Sequence, residues 1–157
     1  MIYADWREFL PERARLRASG RRLVFTNGCF DLLHPGHLAL LEQARGRGDA
    51  LLVAINTDAS VRGNKGPERP LIAEQERAEV LDGLEFVDYV SFFGEPTPLR
   101  IITGVQPEVL IKGADWGEGA VVGEPEVLAG GGEVARIALA PGYSTTEIVR
   151  RVRALGR

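Results

Sequence analysis

Cysteine is almost absent from this sequence. One thiol, Cys29, among 157 residues excludes an internal disulfide framework and any zinc site built from several cysteines. Long apolar runs are missing too. The longest, Ala50 to Ile55, falls far short of the roughly 20 residues a membrane-spanning helix needs. Asp5, Arg7 and Glu8 break any signal-peptide pattern, so a cytoplasmic protein with no membrane partner is expected. Positive charge is also in deficit. Nineteen basic against 22 acidic residues give a net charge of -3, the opposite of a nucleic-acid footprint, so no nucleic-acid partner is expected. With 45% hydrophobic and 26% charged residues, the length suits one domain over 1–157: a leading helix over about 1–20 and a core over 21–157.

What is present is most informative where it is rare. Only Lys65 and Lys112 among the 19 basic residues are lysine, so arginine is the default cation here. The two histidines are His34 and His37. Two histidines placed at random fall this close only ~4% of the time, which marks the pair as a candidate motif.

Short branched apolar runs alternate with helical patterns. Five strands are expected at Leu23–Phe25, Leu51–Ile55, Tyr89–Phe92, Val109–Ile111 and Val134–Leu139. Helices are expected over Gly36–Arg45, Glu74–Leu84, Pro98–Thr103, Glu124–Ala129 and Thr145–Ala154, after an amphipathic helix from about Asp5 to Arg17. A helix between successive strands forces parallel pairing and right-handed crossovers. The fold class is therefore α/β: a Rossmann-like, doubly wound, mostly parallel five-stranded sheet with helices on both faces. Ligands of such sheets bind beyond the carboxyl ends of the strands, where strand order reverses. Two connections are long and without a period, Thr57 to Ala73 and Ala114 to Gly123, as functional loops often are.

The first of these strands runs into Thr26, Asn27, Gly28, Cys29, Phe30 and Asp31, then Leu32, Leu33, His34, Pro35, Gly36 and His37. A glycine turn lets backbone N–H groups approach a phosphate, and the following helix adds unpaired donors and a positive dipole end. Pro35 suits the first helical turn. His34 and His37 at i and i+3 share a face and can both reach a polyphosphate. Plainer readings are a His34 cap with His37 packed on the sheet, or a metal pair, for which no third ligand is near. Near the C-terminus, Ser144 and Glu147 have capping-box spacing, and Ile148, Val152 and Leu155 form an apolar stripe expected to pack on the sheet. Lys65 stands in a Gly/Pro-rich loop as a flexible point charge that can close over phosphates or simply be solvated. Arg77 lies on an apolar helical face, either snorkelling or directed into a site. Lys112, Gly113, Asp115 and Trp116 end the fourth of these strands; the glycine admits a base or ribose, Asp115 can accept its hydrogens and Trp116 can stack. Cys29 is most simply a small buried residue.

The string T-N-G-C-F-D-L-L-H-P-G-H resembles the HxGH signature of the nucleotidyltransferase superfamily. That resemblance implies that His34 and His37 contact a triphosphate and steady its transition state, together with Lys65 as the catalytic set. It implies nucleotide binding by Thr26, Asn27, Gly28, Cys29, Phe30, Gly36, Lys112, Gly113, Asp115, Trp116, Ser144, Thr145 and Thr146. It also implies phosphate or substrate contacts by Asp31, Arg69 and Arg77, with Asp88 steadying Arg77.

From Gly20 to Val152 the chain is similar to the D-glycero-β-D-manno-heptose 1-phosphate adenylyltransferase family, through A-I-N-T-D-A-S-V-R, K-G-P-E-R-P, V-L-I-K-G-A-D-W, V-V-G, G-G-E-V and G-Y-S-T-T-E-I. The resemblance implies transfer of AMP from ATP to the sugar phosphate, giving ADP-heptose for lipopolysaccharide core and releasing pyrophosphate. It implies Mg²⁺ carried by phosphates and water rather than by protein ligands, at least a homodimer, and a sugar kinase acting as a separate protein. The rival is the cytidylyltransferase branch, which uses CTP with glycerol 3-phosphate or a similar acceptor. Its R-T-E-G-I-S-T-T is here Leu139-Ala140-Pro141-Gly142-Tyr143 before Ser144, although G-A-D-W resembles its G-H-D-W. A non-catalytic nucleotide-binding module is a third reading.

Overall fold

Branched apolar runs without polar alternation belong in strands covered on both faces. The computed structural model, which describes residues 1–113, 121–138 and 142–156, has six of them. They are β1 (Ile2–Tyr3), β2 (Leu23–Gly28), β3 (Ala50–Asn56), β4 (Tyr89–Phe93), β5 (Val109–Gly113) and β6 (Glu133–Ile137). The helices are α1 (Leu10–Ala18), α2 (Pro35–Arg45), α3 (Asp58–Lys65), α4 (Glu74–Asp82), α5 (Leu99–Val105), α6 (Glu124–Ala129) and α7 (Thr145–Leu155). All strand pairs are parallel, in the order β1-β4-β3-β2-β5-β6. The doubly wound α/β class holds.

Four expectations change in detail. A sixth strand, β1, adds to the sheet edge beside β4; at two residues it is too short for a pattern. The leading helix begins as a 3₁₀ turn, Trp6–Phe9, capped by Asp5, and becomes α-helical only from Leu10, where Pro11 fits the first turn. The connection from Thr57 is not all loop: Thr57 Oγ1 accepts the Ser60 N–H and starts α3, whose Gly63 and Asn64 hide the period. The last strand ends at Ile137, and the expected Leu139 lies outside the described residues.

Side-chain alternation sorts the core into two layers. Val24, Val53, Ile55, Val109 and Ile111 pack with Leu41 of α2 and Leu81 of α4. Leu23, Phe25, Leu52 and Leu110 pack on the other face with Leu16 of α1, Ile101 of α5 and Val127 of α6. The chain moves from β2 through β3 to β4 on one side, then crosses to β5 and β6 on the other. Strand order therefore reverses between β2 and β5, and their carboxyl ends, Gly28 and Gly113, flank the crevice. No helix among the described residues is long and apolar enough to cross a membrane.

The N-terminal segment is fastened to the second layer by a buried Arg13, which donates to the carbonyls of Val105 and Gln106 and to Glu108. Trp6 lies against Gly104, where a Cβ would meet the indole ring at 2.3 Å. Gly104→Ala must therefore displace Trp6 or shift α5. It is expected to lower stability by ~1–3 kcal/mol in urea unfolding, with little change in the β-sheet signature by circular dichroism.

Candidate active site

The turn after β2 builds one wall of the crevice. Phe30 adopts a left-handed conformation, φ 47°, and its side chain is buried in the α2–α4 layer. The chain then enters α2 at Pro35, with His34 as N-cap. His34 Nδ1 accepts the His37 N–H at 3.4 Å, so the neutral ring carries its proton on Nε2. The two imidazoles stack, with centroids 3.8 Å apart and planes 15° apart. Gly36 makes this possible, for a Cβ there would lie 3.1 Å from the His34 ring and from Tyr143 Cβ.

α7 and the end of α3 form the facing wall. Ser144 caps α7 by accepting the Glu147 N–H at 3.3 Å, and Thr145 Oγ1 donates to Leu32 O at 3.3 Å, tying α7 to the β2 turn. The Glu147 carboxylate pairs with Arg150, so only half of the expected capping box forms. A cleft of about 640 Å³ separates the walls, lined by Cys29, Phe30, Asp31, His34, Gly36 and His37 on one side and by Lys65, Arg69, Tyr143, Ser144, Thr145 and Thr146 on the other. The N-termini of two helices thus open onto one volume, together with two cations. Phosphate groups suit such a place.

Several expected site residues stand elsewhere. Arg77 is 2% exposed and does not line the cleft. Its guanidinium donates to the carbonyls of Cys29, Asn56 and Ile72 and to Asp58, so the α4 stripe carries a structural anchor rather than a phosphate contact. Asp88 does not steady it: Asp88 accepts the Leu51 N–H and pairs with Arg45. Asp31 reaches the cleft wall, but its carboxylate is already engaged by Arg69 Nε at 2.5 Å and by the N–H groups of Leu71 and Ile72. It pins the 69–72 segment over the turn. Thr26 is buried and donates to Ile111 O. Asn27 and Lys112 are bonded to each other at the ends of β2 and β5, with Gly28 and Gly113 alongside. Asp115 and Trp116 lie outside the described residues. Lys65 is not in a loop but is the last residue of α3, which limits where its ammonium reaches. α7 does not bury its stripe on the sheet, since none of its described residues is buried and Val152 and Leu155 are exposed.

Sequence reasoning passed over three participants. Tyr143 stands almost parallel to His34, with centroids 6.2 Å apart, signalled only by an aromatic beside S-T-T. Asn56 donates to Ser60 Oγ at 3.0 Å and accepts from Cys29 Sγ at 3.7 Å, bracing the turn from β3. Asp58 is the anionic partner of Arg77. Burial raises the pKa of the Cys29 thiol.

The histidines are held neutral. Burial, and then the charge of His34, lower the His37 pKa from 6.5 to about 4; burial likewise lowers that of His34. His37 Nδ1 is buried without a partner among the described residues, leaving Nε2 for a ligand. As pH drops from about 6.5 toward 4, the unfolded chain takes up a proton that the folded chain refuses at His37. Stability therefore falls over that window, and above it this residue adds no pH dependence. In an imidazole NMR titration of the free protein, His37 is expected to show no protonation step between pH 6 and 8. A midpoint near 6.5 would contradict the stacked, desolvated geometry.

The profile of the cytidylyltransferase-like family matches residues 25–151, which spans both walls of this cleft. The bifunctional protein HldE of Rhodopseudomonas palustris (strain BisA53) is 51% identical over 97% of the chain, and that of Magnetococcus marinus is 52% identical over 96%. The chain spans 31% of the length of each of these relatives. Among solved structures, a lipopolysaccharide core biosynthesis protein from Thermoplasma volcanium superposes with a TM-score of 0.67 at 25% identity, covering 77% of this chain and 99% of that one. A pantoate-beta-alanine ligase from Francisella tularensis, complexed with beta-gamma ATP and beta-alanine, shares the fold, with a TM-score of 0.60 at 15% identity, 100% of this chain and 78% of that one. A profile match over most of the chain places it in a family by more than a motif: this protein belongs to the cytidylyltransferase-like family.

Proposed function

We propose that the chain is a nucleotidyltransferase that moves AMP from ATP to D-glycero-β-D-manno-heptose 1-phosphate, releasing pyrophosphate. The observation that carries this reading is the convergence of the α2 and α7 N-termini, His34, His37, Lys65 and Arg69 on one cleft at the strand-order reversal. The sugar-phosphate acceptor is supported by the similarity to bifunctional HldE proteins and to a lipopolysaccharide core biosynthesis protein. Such a reaction belongs to the cytoplasm, where ATP is, and draws its acceptor from a sugar kinase reaction. A homodimer is part of the same proposal.

An oxygen of the acceptor phosphate attacks the α-phosphorus, and the bond to the α,β-bridging oxygen breaks in line with it. The acceptor oxygen is already ionised, so the step needs no general base and no protein nucleophile. Catalysis comes from positioning and from donors aimed at developing charge. His34, which lines the cleft and uses Nδ1 as an acceptor, has Nε2–H left to donate, and a phosphate oxygen arriving at His37 Nε2 selects the tautomer that donates. Lys65 and the α7 N-terminus, with Ser144, Thr145 and Thr146, hold the pyrophosphate end. Among the described residues no three His, Cys, Asp or Glu side chains are grouped to hold an ion. Mg²⁺ enters the proposal as part of the nucleotide substrate, and no step is routed through it.

The description of the family favours one second reading, CTP in place of ATP. Pyrophosphate release with each nucleotide, crossed against heptose 1-phosphate and glycerol 3-phosphate, decides between them. Turnover is expected with ATP and heptose 1-phosphate; turnover with CTP alone reverses the nucleotide, and nucleotide binding without turnover favours a binding module. In the same assay His37→Ala is expected to lose about 10²-fold or more in kcat. Full activity in that variant removes the histidine from the mechanism.

A further inference from the structure

Lys112 stands one residue before the end of β5, half-buried, and its ammonium donates to Asn27 Oδ1 on the neighbouring strand. Among the described residues no carboxylate pairs with it. A cation held half out of water with no such carboxylate beside it gains from a ligand that supplies the charge. Burial alone lowers its pKa to about 8, so it is still largely charged at neutral pH.

Strand alternation shows which face the pair occupies. Val109 and Ile111 point into the layer of α2 and α4, whereas Leu110 points into the layer of α1, α5 and α6. Lys112, two residues beyond Leu110, follows it, as Asn27 follows Phe25. Arg136, the register partner of Lys112 on β6, reaches Glu124 of α6 on that same face. The pair therefore stands at the carboxyl edge of the sheet, across it from α2 and from the cleft that takes the phosphate tail of the nucleotide. In an in-line displacement the attacking group approaches opposite the leaving group. With pyrophosphate on the α2 side, the attacking phosphate comes from the other face.

We infer that Lys112, held in place by Asn27, binds the phosphate of the acceptor, a phosphomonoester dianion, and presents its oxygen to the α-phosphorus. This rests on the nucleotidyltransferase reading above. It separates two anion sites that the sequence merges into one: Lys65 serves the nucleotide and Lys112 serves the acceptor.

Lys112→Met keeps the apolar stem and removes the charge. It is expected to raise KM for the acceptor by about tenfold or more while a non-hydrolysable ATP analogue binds within twofold of wild type, and Lys112→Arg is expected to recover part of the loss. Equal weakening of nucleotide and acceptor, or an unchanged acceptor KM, overturns the assignment. Should the variant fail to fold, the wild-type chain answers alone, because it has only two lysines. In side-chain NMR of lysine-labelled protein, assigned with Lys65→Arg, a sugar 1-phosphate or orthophosphate added beside saturating ATP analogue is expected to shift the Lys112 signal. A Lys112 signal that follows the nucleotide and ignores the phosphate overturns it. If heptose 1-phosphate is not a substrate yet sugar 1-phosphate still moves Lys112, only the choice of sugar fails; if heptose 1-phosphate turns over and Lys112 is silent, only this inference fails.

Discussion

The guanidinium of Arg77 holds the cleft together from behind. It is shut off from solvent and joins the turn after β2, the end of β3, the start of α3 and the segment before α4 through Cys29, Asn56, Asp58 and Ile72. The Asn56 carbonyl is buried, and leaving such an acceptor without a donor costs about 1–3 kcal/mol. The left-handed Phe30, the path of α3 toward Lys65 and the pinning of Arg69 by Asp31 all depend on segments that this one side chain ties down. Arginine suits the task because its planar fork offers five donors in fixed directions.

The cleft in front of that anchor is built from dipoles more than from charges. The first turns of α2 and α7 present unpaired N–H groups, and stacking with desolvation keeps both imidazoles neutral. Neutral donors at a helix end remain donors when the bound anion changes charge, so their aim does not depend on their own protonation. Among the described residues only Lys65 and Arg69 bring formal positive charge to its lining, and Arg69 is partly neutralised by Asp31. The acidic balance of the whole chain is thus compatible with a local preference for polyanions, because geometry concentrates at one point what composition dilutes.

Much of this was legible in the residues. The parallel α/β class followed from continuous branched runs, and α6 and the start of α7 fell where expected because Gly123 and Ser144 mark their beginnings. The histidine turn was legible because Pro35 suits a first helical turn and the two histidines of the chain stand three residues apart. The rest depended on distant partners. An arginine on an apolar stripe looks the same in sequence whether it meets phosphate or buried carbonyls, and only the fold brings Cys29, Asn56 and Ile72 to Arg77. α3 was obscured by Gly63 and Asn64, poor helix formers that its Thr57 cap and the fully buried Val61 outweigh. The stripe of α7 has the right period, yet among the described residues Ile148 is only half-buried and Val152 and Leu155 stay exposed, which periodicity cannot reveal.

That bare stripe bears on turnover. α7 is joined to the rest of the described structure by the Thr145–Leu32 bond near its start and by an exposed Arg153–Glu68 ion pair, with little apolar area to hold it. A helix so weakly docked opens at a small fraction of the free energy of global unfolding. A ligand spanning both walls would then spend part of its binding energy on keeping α7 seated, and its affinity would be lowered by that amount. The reward is kinetic: on the proposed mechanism this wall holds the pyrophosphate end, so departure of the product would not have to wait for the sheet to move.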